Sequence, residues 1–196
     1  MASQAERREK TRGAILAAAE AAFSGDGFAA TTIDRIAAAA GVAKGAVYHH
    51  FASKEALFEA VFDQASRGLV RRVIGKSVGA RDVLDGMVVG SREYFAACAE
   101  PALGRIILHD GPMVLGWERW RQIDAEHFGR MFPIALTQAM DQGLLARQPV
   151  EPLARLLVGA VTEAAVACAS AEDPAAVGRQ HAAALEAVIE GLRRRA

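Results

Sequence analysis

The chain has 196 residues, of which 52% are hydrophobic and 6% aromatic, and its 23 basic and 23 acidic side chains give a formal net charge of zero. A chain of this length and apolar content can bury a substantial core, which favours one compact unit or two docked ones over a string of modules. Zero net charge excludes a general basic excess of the kind that marks many nucleic-acid binders. Residues 1–54 nevertheless carry seven Lys or Arg against five Asp or Glu, so they are +2 and the remainder is −2.

The distribution of apolar residues favours helices throughout the chain. No stretch alternates in a convincing strand pattern, so we predict an all-α fold of about nine helices. Residues 1–9 are polar and are expected to be frayed. The first helix should continue to Phe23, where the run Ser24–Gly27 ends it, and Phe28 should tuck into a small core.

Two short helices joined by a tight turn are predicted between residues 31 and 55. A threonine at 31 or 32 caps the first helix, and Gly41 ends it because glycine adopts the left-handed conformation without a Cβ clash. The second helix spans residues 44–50. Its buried side is predicted to carry three apolar residues, Ala46, Val47 and Phe51. Helix, glycine turn and short helix form the helix-turn-helix plan, in which the second helix lies in the major groove.

A long fourth helix is predicted from a Ser53 cap to about Ile74. It is the only covalent connection between the N-terminal region and the rest of the chain. The fifth helix covers residues 83–98 and the sixth covers residues 102–109. The run Asp110-Gly111-Pro112 that follows is a strong turn signal.

The C-terminal part contains three more predicted helices. The seventh covers residues 114–142, with a kink or break near Phe132 because Pro133 removes an amide. The eighth, opened by Glu151-Pro152, is apolar nearly all round and must be covered on more than one side. The ninth starts at Asp173-Pro174, and its basic end, residues 193–195, is interpreted as a solvated tail that suits the negative helix terminus.

The run GVAKGAVYHHFASKEALFEAVF resembles the DNA-binding signature of the TetR/AcrR family of bacterial transcriptional repressors. The resemblance is close over residues 10–62, and the run HDGPMVLGWERWRQID resembles a segment of some TetR-like sensor domains. It implies a DNA-binding domain over residues 1–54 and a ligand-binding and dimerisation domain over residues 55–196, with the fourth helix as connector. It also implies a homodimeric repressor that binds a palindromic, double-stranded operator and is released by a mostly apolar small molecule, without a cofactor.

The resemblance assigns DNA contacts to individual residues. Thr32, Tyr48 and Lys54 are expected to anchor the DNA backbone, and four residues of the second short helix are expected to face the groove: Lys44, Gly45, Ala46 and His49. Tyr48 could instead be an aromatic at the edge of the core. The basic side chains near the N-terminus could reach a phosphate or simply be solvated: Arg7, Arg8, Lys10 and Arg12.

Soft and aromatic side chains in the middle of the chain suit an apolar ligand pocket, although such residues are more often plain core. The candidates are Met87, Tyr94, Phe95, Cys98, Met113, Trp117, Trp120, Phe128 and Met131. Glu163 is added because it is the only charge between Arg155 and Glu172, so that a buried carboxylate there would need a partner. The last two helices offer small and apolar residues for a four-helix dimer interface: Gly159, Ala160, Ala164, Ala167, Val177, His181, Ala184, Leu185 and Val188.

Two other classes of function were weighed. A small helical enzyme would have to rely on scattered side chains that show no nucleophile, metal or paired-carboxylate spacing: Cys98, Cys168, His109, His127, Asp110 and Glu163. A protein that uses the helix-turn-helix only as an interaction fold is the third reading. No metal site is expected, and both cysteines are interpreted as core or pocket-wall residues. The absence of a signal peptide and of a predicted membrane span leads us to expect a cytoplasmic protein.

Overall fold

A computed structural model describes residues 3–194, and within that range the regular elements are all helical. A single isolated bridge pairs Leu145 with Arg193. The α-helices are α1 (Gln4–Asp26), α2 (Ile33–Ala40), α3 (Lys44–His50), α4 (Lys54–Ser77), α5 (Val83–Cys98), α6 (Pro101–Gly104), α7 (Gly111–Leu115), α8 (Trp117–Asp124), α9 (Met131–Asp141), α10 (Val150–Ala169) and α11 (Pro174–Leu192). Two π-helical segments, π1 (Arg105–Asp110) and π2 (Ala125–Gly129), join α6 to α7 and α8 to α9.

The predicted all-α fold is confirmed. When each run of helices linked by a π-helical segment is counted as one helix, residues 3–194 contain nine helices, in agreement with the predicted number. Helices α1–α3 form a small N-terminal unit, which we call the head. Helices α5–α11 form the larger unit, and α4 packs against both. The helix starts at Ser53 and Asp82 are capped by side chains whose oxygens accept backbone amides, as their sequence positions suggest.

The head has its own apolar core. Ile15, Phe23 and Val47 are fully buried there, and the ring of Phe28 lies 5.7 Å from that of Phe23 and 5.4 Å from that of Phe58 on α4. Phe28 therefore packs where it was predicted. The expected fraying of residues 1–9 is wrong for the described part, because a capping box at Ser3 starts α1 at Gln4.

The predicted turn at Asp110-Gly111-Pro112 is wrong, because the chain stays helical there. The wide π1 turn runs directly into α7, and Pro112 lies in the first turn of α7. Gly111 instead permits a close approach: a Cβ at this position would lie 2.8 Å from Phe62 and 3.0 Å from Trp120. The glycine thus marks close helix packing against α4 rather than a change of chain direction.

The predicted seventh helix is broken in two places. Gly116 has a φ of 77°, which ends α7 and lets α8 start in a new direction. The second interruption, π2, ends just before α9, close to the kink expected near Phe132. Pro133 lies in the first turn of α9, where a missing amide leaves no hydrogen bond unmade.

The C-terminal end of α11 is tied to the start of α5. Arg193 donates to the carboxylate of Asp82 at 2.7 Å and to Glu190 at 2.9 Å, and the guanidinium holds the pKa of Asp82 down at about 2. The interpretation of this end as a solvated tail is therefore wrong for Arg193. Arg195, the last residue of that basic run, lies outside the described residues.

Helix α10 is long and apolar enough to cross a membrane by length and composition, which the sequence-based expectation of no such segment overlooked. Core helices of soluble proteins pass the same test. In this fold α10 packs against α5, α9 and α11, which covers it on more than one side as its composition requires.

Candidate nucleic-acid interface and sensor cavity

The turn between α2 and α3 is built by a short list of local contacts. The Thr32 hydroxyl accepts the amide of Arg35 at 3.3 Å and so caps α2. Gly41 has a φ of 67°, and the amide of Val42 donates to the carbonyl of Ala37 at 3.0 Å, which closes the helix end. These contacts fix the angle at which α3 leaves α2, as the sequence predicts.

Helix α3 presents an open, polar face to solvent. Tyr48 is 47% exposed, and Lys44, Gly45 and His49 are exposed as well. A Cβ at Gly45 would meet no atom within 4 Å, so packing within the protein does not require glycine at this position. The missing side chain leaves the surface of α3 flat there. Ala46 is half-buried and lies at the edge of this face. It is therefore between the buried side and the groove-facing side of α3, both of which the sequence suggested for it.

Lys44 is held by a neighbour on the preceding helix. Its ammonium lies 2.9 Å from a carboxylate oxygen of Asp34, and this hydrogen bond raises the pKa of Lys44. Both side chains are solvent-exposed, so the ion pair positions Lys44 but is weak. Lys44 can therefore exchange Asp34 for a stronger acceptor at little cost in free energy.

The structure gives Lys54 a different role from the expected DNA contact. Its ammonium donates to the carbonyl oxygens of Phe28 at 2.9 Å and Thr31 at 3.0 Å, and it lies 4.1 Å from the ring of Phe28. Two of its three donors are therefore used inside the protein. Lys54 ties the start of α4 to the loop between α1 and α2.

The basic residues of α1 flank α3 on one side. The guanidinium of Arg12 lies 5.3 Å from the ring of Phe51, and burial, then His49 and the nearby Arg8, lower the pKa of His50. His50 therefore favours its neutral form and faces the protein, whereas His49 faces outward. Within residues 3–194 no three His, Cys, Asp or Glu side chains are grouped as metal ligands would be.

A cavity of about 350 Å³ lies between the second half of α4, the first half of α5, and the π2 and α9 segments. Its wall is mostly apolar, with hydroxyls from Ser77 and Ser91 and the amide of Gln138. Pockets of about 300–1,000 Å³ with apolar walls and a few polar groups are typical of small-molecule sites. Three of the predicted ligand residues, Met87, Phe128 and Met131, line it.

The other predicted ligand residues lie elsewhere. Tyr94 is buried behind the cavity and stacks on Phe128 with ring centroids 4.1 Å apart. Trp120 is buried and donates its indole N–H to the carbonyl of Ile107 at 2.7 Å. Phe95 and Cys98 are also buried, and burial raises the pKa of the Cys98 thiol. Cys98 and Cys168 are both buried free thiols, as the core interpretation predicts.

Three ligand predictions fall on the surface of the chain. Met113 is 76% exposed and Trp117 is 55% exposed, because both lie on the outer side of the bent α7 and α8 segment. Glu163 is exposed on the outer face of α10, so the expectation of a buried carboxylate that needs a partner is wrong.

A partly buried carboxylate of the larger unit that the sequence analysis missed is Asp124, the last residue of α8. The hydroxyl of Thr162 lies 3.5 Å from it, and burial raises its pKa to about 6. One signal was available in the sequence, since Asp124 is spaced by four residues from both Trp120 and Phe128, which are core positions.

A second missed residue, Asp110, joins the head to the larger unit. Its carboxylate accepts the backbone amide of Phe28 at 2.8 Å and contacts the His109 ring at 2.8 Å. Arg105 donates from the same segment to the carbonyl oxygen of Gly25. Both ends of π1 are thus hydrogen-bonded to the C-terminal end of α1 or to the loop that follows it.

The outer faces of α10 and α11 carry exposed apolar residues. Leu156 is 72% exposed and Val188 is 52% exposed, and Ala160, Ala167 and Ala184 are exposed beside them. Of the other predicted interface residues, Ala164 and Leu185 are buried within the chain, and Gly159, Val177 and His181 are half-buried. Leu156 is an exposed apolar residue of α10 that the sequence-based set did not include.

The exposed α3 on a capped helix-turn-helix, joined by one long helix to a larger unit with a cavity, defines a helix-turn-helix DNA-binding protein. Two family profiles match the chain: "Bacterial regulatory proteins, tetR family" over residues 15–61 and "Tetracyclin repressor-like, C-terminal domain" over residues 84–192. The chain belongs to the TetR family of bacterial transcriptional regulators.

A solved TetR-family transcriptional regulator from Pectobacterium atrosepticum is 32% identical to this chain, with a TM-score of 0.85 and 99% of each chain covered. Curated relatives match over shorter stretches. The HTH-type transcriptional regulator TtgR of Pseudomonas putida is 47% identical over 30% of this chain and 28% of its own length. The HTH-type transcriptional repressor KstR2 of Mycobacterium tuberculosis is 35% identical over 42% of each chain. The matched stretches span less than half of the length of these two curated relatives.

Proposed function

We propose that this protein is a cytoplasmic, homodimeric repressor that binds a palindromic operator and is released by a small molecule. In this proposal residues 1–54 bind DNA, and residues 55–196 bind the effector and the second subunit. The observation that carries it is the open face of α3, where Lys44, Gly45, Tyr48 and His49 project from a rigidly capped helix-turn-helix. The relatives named above are regulators, and that supports a regulatory rather than a catalytic role.

The division of labour on this face follows from chemistry. Tyr48 and Thr32 carry hydroxyls that suit phosphate oxygens, whereas Lys44 and His49 have donors that suit base edges in the major groove. Gly45 allows the helix to approach the DNA closely. We assign Lys54 to the internal tie described above, with at most one donor available for a phosphate.

One short α3 reads only a few base pairs, so a second copy is needed to select an operator. The exposed apolar residues of α10 and α11, above all Leu156 and Val188, support a four-helix interface between two subunits. Such a contact removes from water the apolar face that a single subunit leaves exposed.

The cavity supports the release step. Because α4 forms one of its walls and also begins at the head, a ligand that binds one arrangement of α4 better than another changes the position of α3. In a dimer this changes the spacing of the two α3 helices, and they no longer fit successive major grooves.

Fluorescence anisotropy with fragments from upstream of the gene, read at several salt concentrations, tests the proposal. We expect salt-dependent binding to a palindromic fragment and much weaker binding to a fragment that holds one half-site. Tyr48→Ala should weaken binding about tenfold on all sequences, because one phosphate hydrogen bond is lost per subunit.

Lys44→Gln should instead change the preference among operator variants at one or two base pairs of each half-site. Lys76→Gln removes the same charge from an exposed position on α4 and is the matched control. Equal loss on all sequences for both Tyr48→Ala and Lys44→Gln would contradict the assigned roles. Absence of any binding to random duplex DNA at low salt would contradict DNA binding altogether.

A further inference from the structure

One side of α4 changes from basic to apolar along its length. Arg67, Arg71 and Ile74 are spaced by three or four residues, so they form one stripe on the helix surface, and Val78 follows directly after the last residue of α4. The first two are exposed arginines, and the last two are exposed apolar residues, with Ile74 and Val78 at the wall of the 350 Å³ cavity.

The π2 and α9 segment opposite this stripe changes in the same direction. His127 and Arg130 lie beside Arg67 and Arg71 in a groove of about 290 Å³, while Ile134 continues its apolar side. Met131 lines both this groove and the 350 Å³ cavity. Groove and cavity are therefore adjacent spaces separated by one flexible side chain, with a basic end nearer the head and an apolar end further away.

The arginines of the groove are unequally neutralised. Asp63 pairs with both Arg67 and His127, the latter at 2.7 Å. Among residues 3–194, no carboxylate lies within ion-pair distance of Arg71 or Arg130, and Glu126 is the only acidic residue that lines the groove. Burial, and then the charge of Arg67, lower the pKa of His127, while Glu126 and Asp124 act in the opposite direction.

The apolar end, which is the 350 Å³ cavity, carries no unpaired charge from residues 3–194. The one carboxylate that lines it, Asp82, is paired with Arg193 at 2.7 Å. A ligand with a charge at one end and an apolar body would therefore be oriented, with the body among Ile74, Met87 and Phe132. Guanidinium groups suit carboxylate and phosphate oxygens because their N–H donors match the geometry of these anions.

We propose that the effector site takes an amphipathic anion, with its apolar body in the cavity between α4, α5 and α9 and its carboxylate or phosphate between Arg71 and Arg130. This deepens the proposed function, since it treats the cavity as the effector site. The anionic group bridges α4 to the segment opposite, so the ligand contacts the helix that leads to the head at two places.

Isothermal titration calorimetry on the full-length protein without DNA tests this, with four probes that share a ten-carbon chain: decanoate, decyl phosphate, 1-decanol and decyltrimethylammonium. We expect one or both anions to bind at least about fivefold more tightly than 1-decanol, the range of an exposed ion pair, and the cation to bind most weakly. The two anions distinguish a carboxylate from a phosphate ligand.

Two kinds of variant distinguish binding of the ligand's anionic group from binding of its apolar body. Arg71→Gln and Arg130→Gln should each weaken anion binding about twofold to fivefold and leave 1-decanol unchanged, while Arg147→Gln, which removes an exposed arginine outside the groove, should change neither. Ala135→Phe, which fills the cavity, should weaken anions and alcohol alike. All these positions are at least partly exposed, and thermal unfolding of each variant checks that it is folded.

Equal affinity for anions and alcohol, tighter binding of the cation, or no binding of any probe would overturn the proposal. The same holds if Arg147→Gln weakens anion binding as much as Arg71→Gln does. Because no DNA is present, these results are independent of operator binding. A protein that fails to bind DNA yet binds decanoate through Arg71 would contradict the repressor function and retain the anion site.

Discussion

The head and the larger unit obtain their structure in different ways. In the head, caps and turns are local: Thr32 starts α2 and Gly41 ends it, and each contact lies within a few residues. In the larger unit the decisive contacts join distant segments, as Gly111 does against Phe62 and Asp110 against Phe28. The conformation of the head is therefore set by local contacts. The larger unit depends instead on close approaches between helices that a single substitution can disturb.

The largest effect is expected from a methyl group at the closest of these approaches. Gly111→Ala places a Cβ 2.9 Å from the Ile106 carbonyl oxygen as well as against the rings of Phe62 and Trp120, so backbone and rings must both shift. We expect the free energy of unfolding to fall by about 2 kcal/mol, the usual range for overpacking. Thermal denaturation should show a decrease of roughly 4–8 °C in Tm.

The matched control is the same change in the head. A methyl group at Gly45 meets no neighbour, so Gly45→Ala should leave Tm unchanged or raise it slightly through helix propensity. It should nevertheless weaken DNA binding if α3 approaches the groove closely. A lower Tm for Gly45→Ala than for Gly111→Ala would break the contrast between the two regions.

A smaller effect is expected at the contact between the two units. Asp110→Ala leaves the Phe28 amide without its acceptor, and we expect a loss of about 1–2 kcal/mol in the free energy of unfolding measured with urea. Asp110→Asn keeps one acceptor oxygen and should recover part of this loss. If hydrogen exchange at the Phe28 amide is equally slow in Asp110→Ala and in the unchanged protein, the contact has no protective role.

The smallest effect should come from Asp124, the partly buried carboxylate at the end of α8. The folded pKa of Asp124, about 6, lies above its ordinary value of 3.8. The folded state therefore binds this proton more tightly, so the contribution of Asp124 to stability is greatest below about pH 4 and is lost as pH rises through 6.

Asp124→Asn should remove this loss and raise the free energy of unfolding at pH 7 by about 1 kcal/mol, once partial exposure is considered. Urea denaturation at pH 5 and pH 7 measures it, with Glu163→Gln on the exposed face of α10 as control. The idea fails if Asp124→Asn has the same pH dependence as the unchanged protein.

Most of the head could be predicted from sequence because its signals are local. Hydroxyl caps, a left-handed glycine and apolar spacing are sufficient to place α2, α3 and the start of α4, and the structure agrees with each. Lys54 has an internal role that the sequence did not predict. Its spacing cannot show that two carbonyl groups of the preceding loop lie within reach of its ammonium.

The larger unit was harder to predict because its helices contain π-helical segments, which shift the apolar spacing. A turn was predicted at Asp110 from residue types that in fact serve tight packing and a hydrogen bond to the head. The neighbours of Glu163 along the chain are mostly apolar, which predicts a buried carboxylate, yet Glu163 lies on the exposed face of α10 with Ala160 and Ala167 while its immediate neighbours face inward. Asp124 lies among polar neighbours in sequence and is buried by distant ones.

The tie made by Lys54 has a mechanical consequence. The Lys54 ammonium fastens the loop before α2 to the first turn of α4, so a displacement of that turn is transmitted to the loop directly. The 24 residues of α4 give a rod about 36 Å long at 1.5 Å per residue. A pivot of about 5° at the cavity end would move the head end by about 3 Å, close to the 3.4 Å rise of one base pair. In the proposed repressor, a lever of this length would convert a small displacement around a ligand into a movement of about one base-pair step along the double helix.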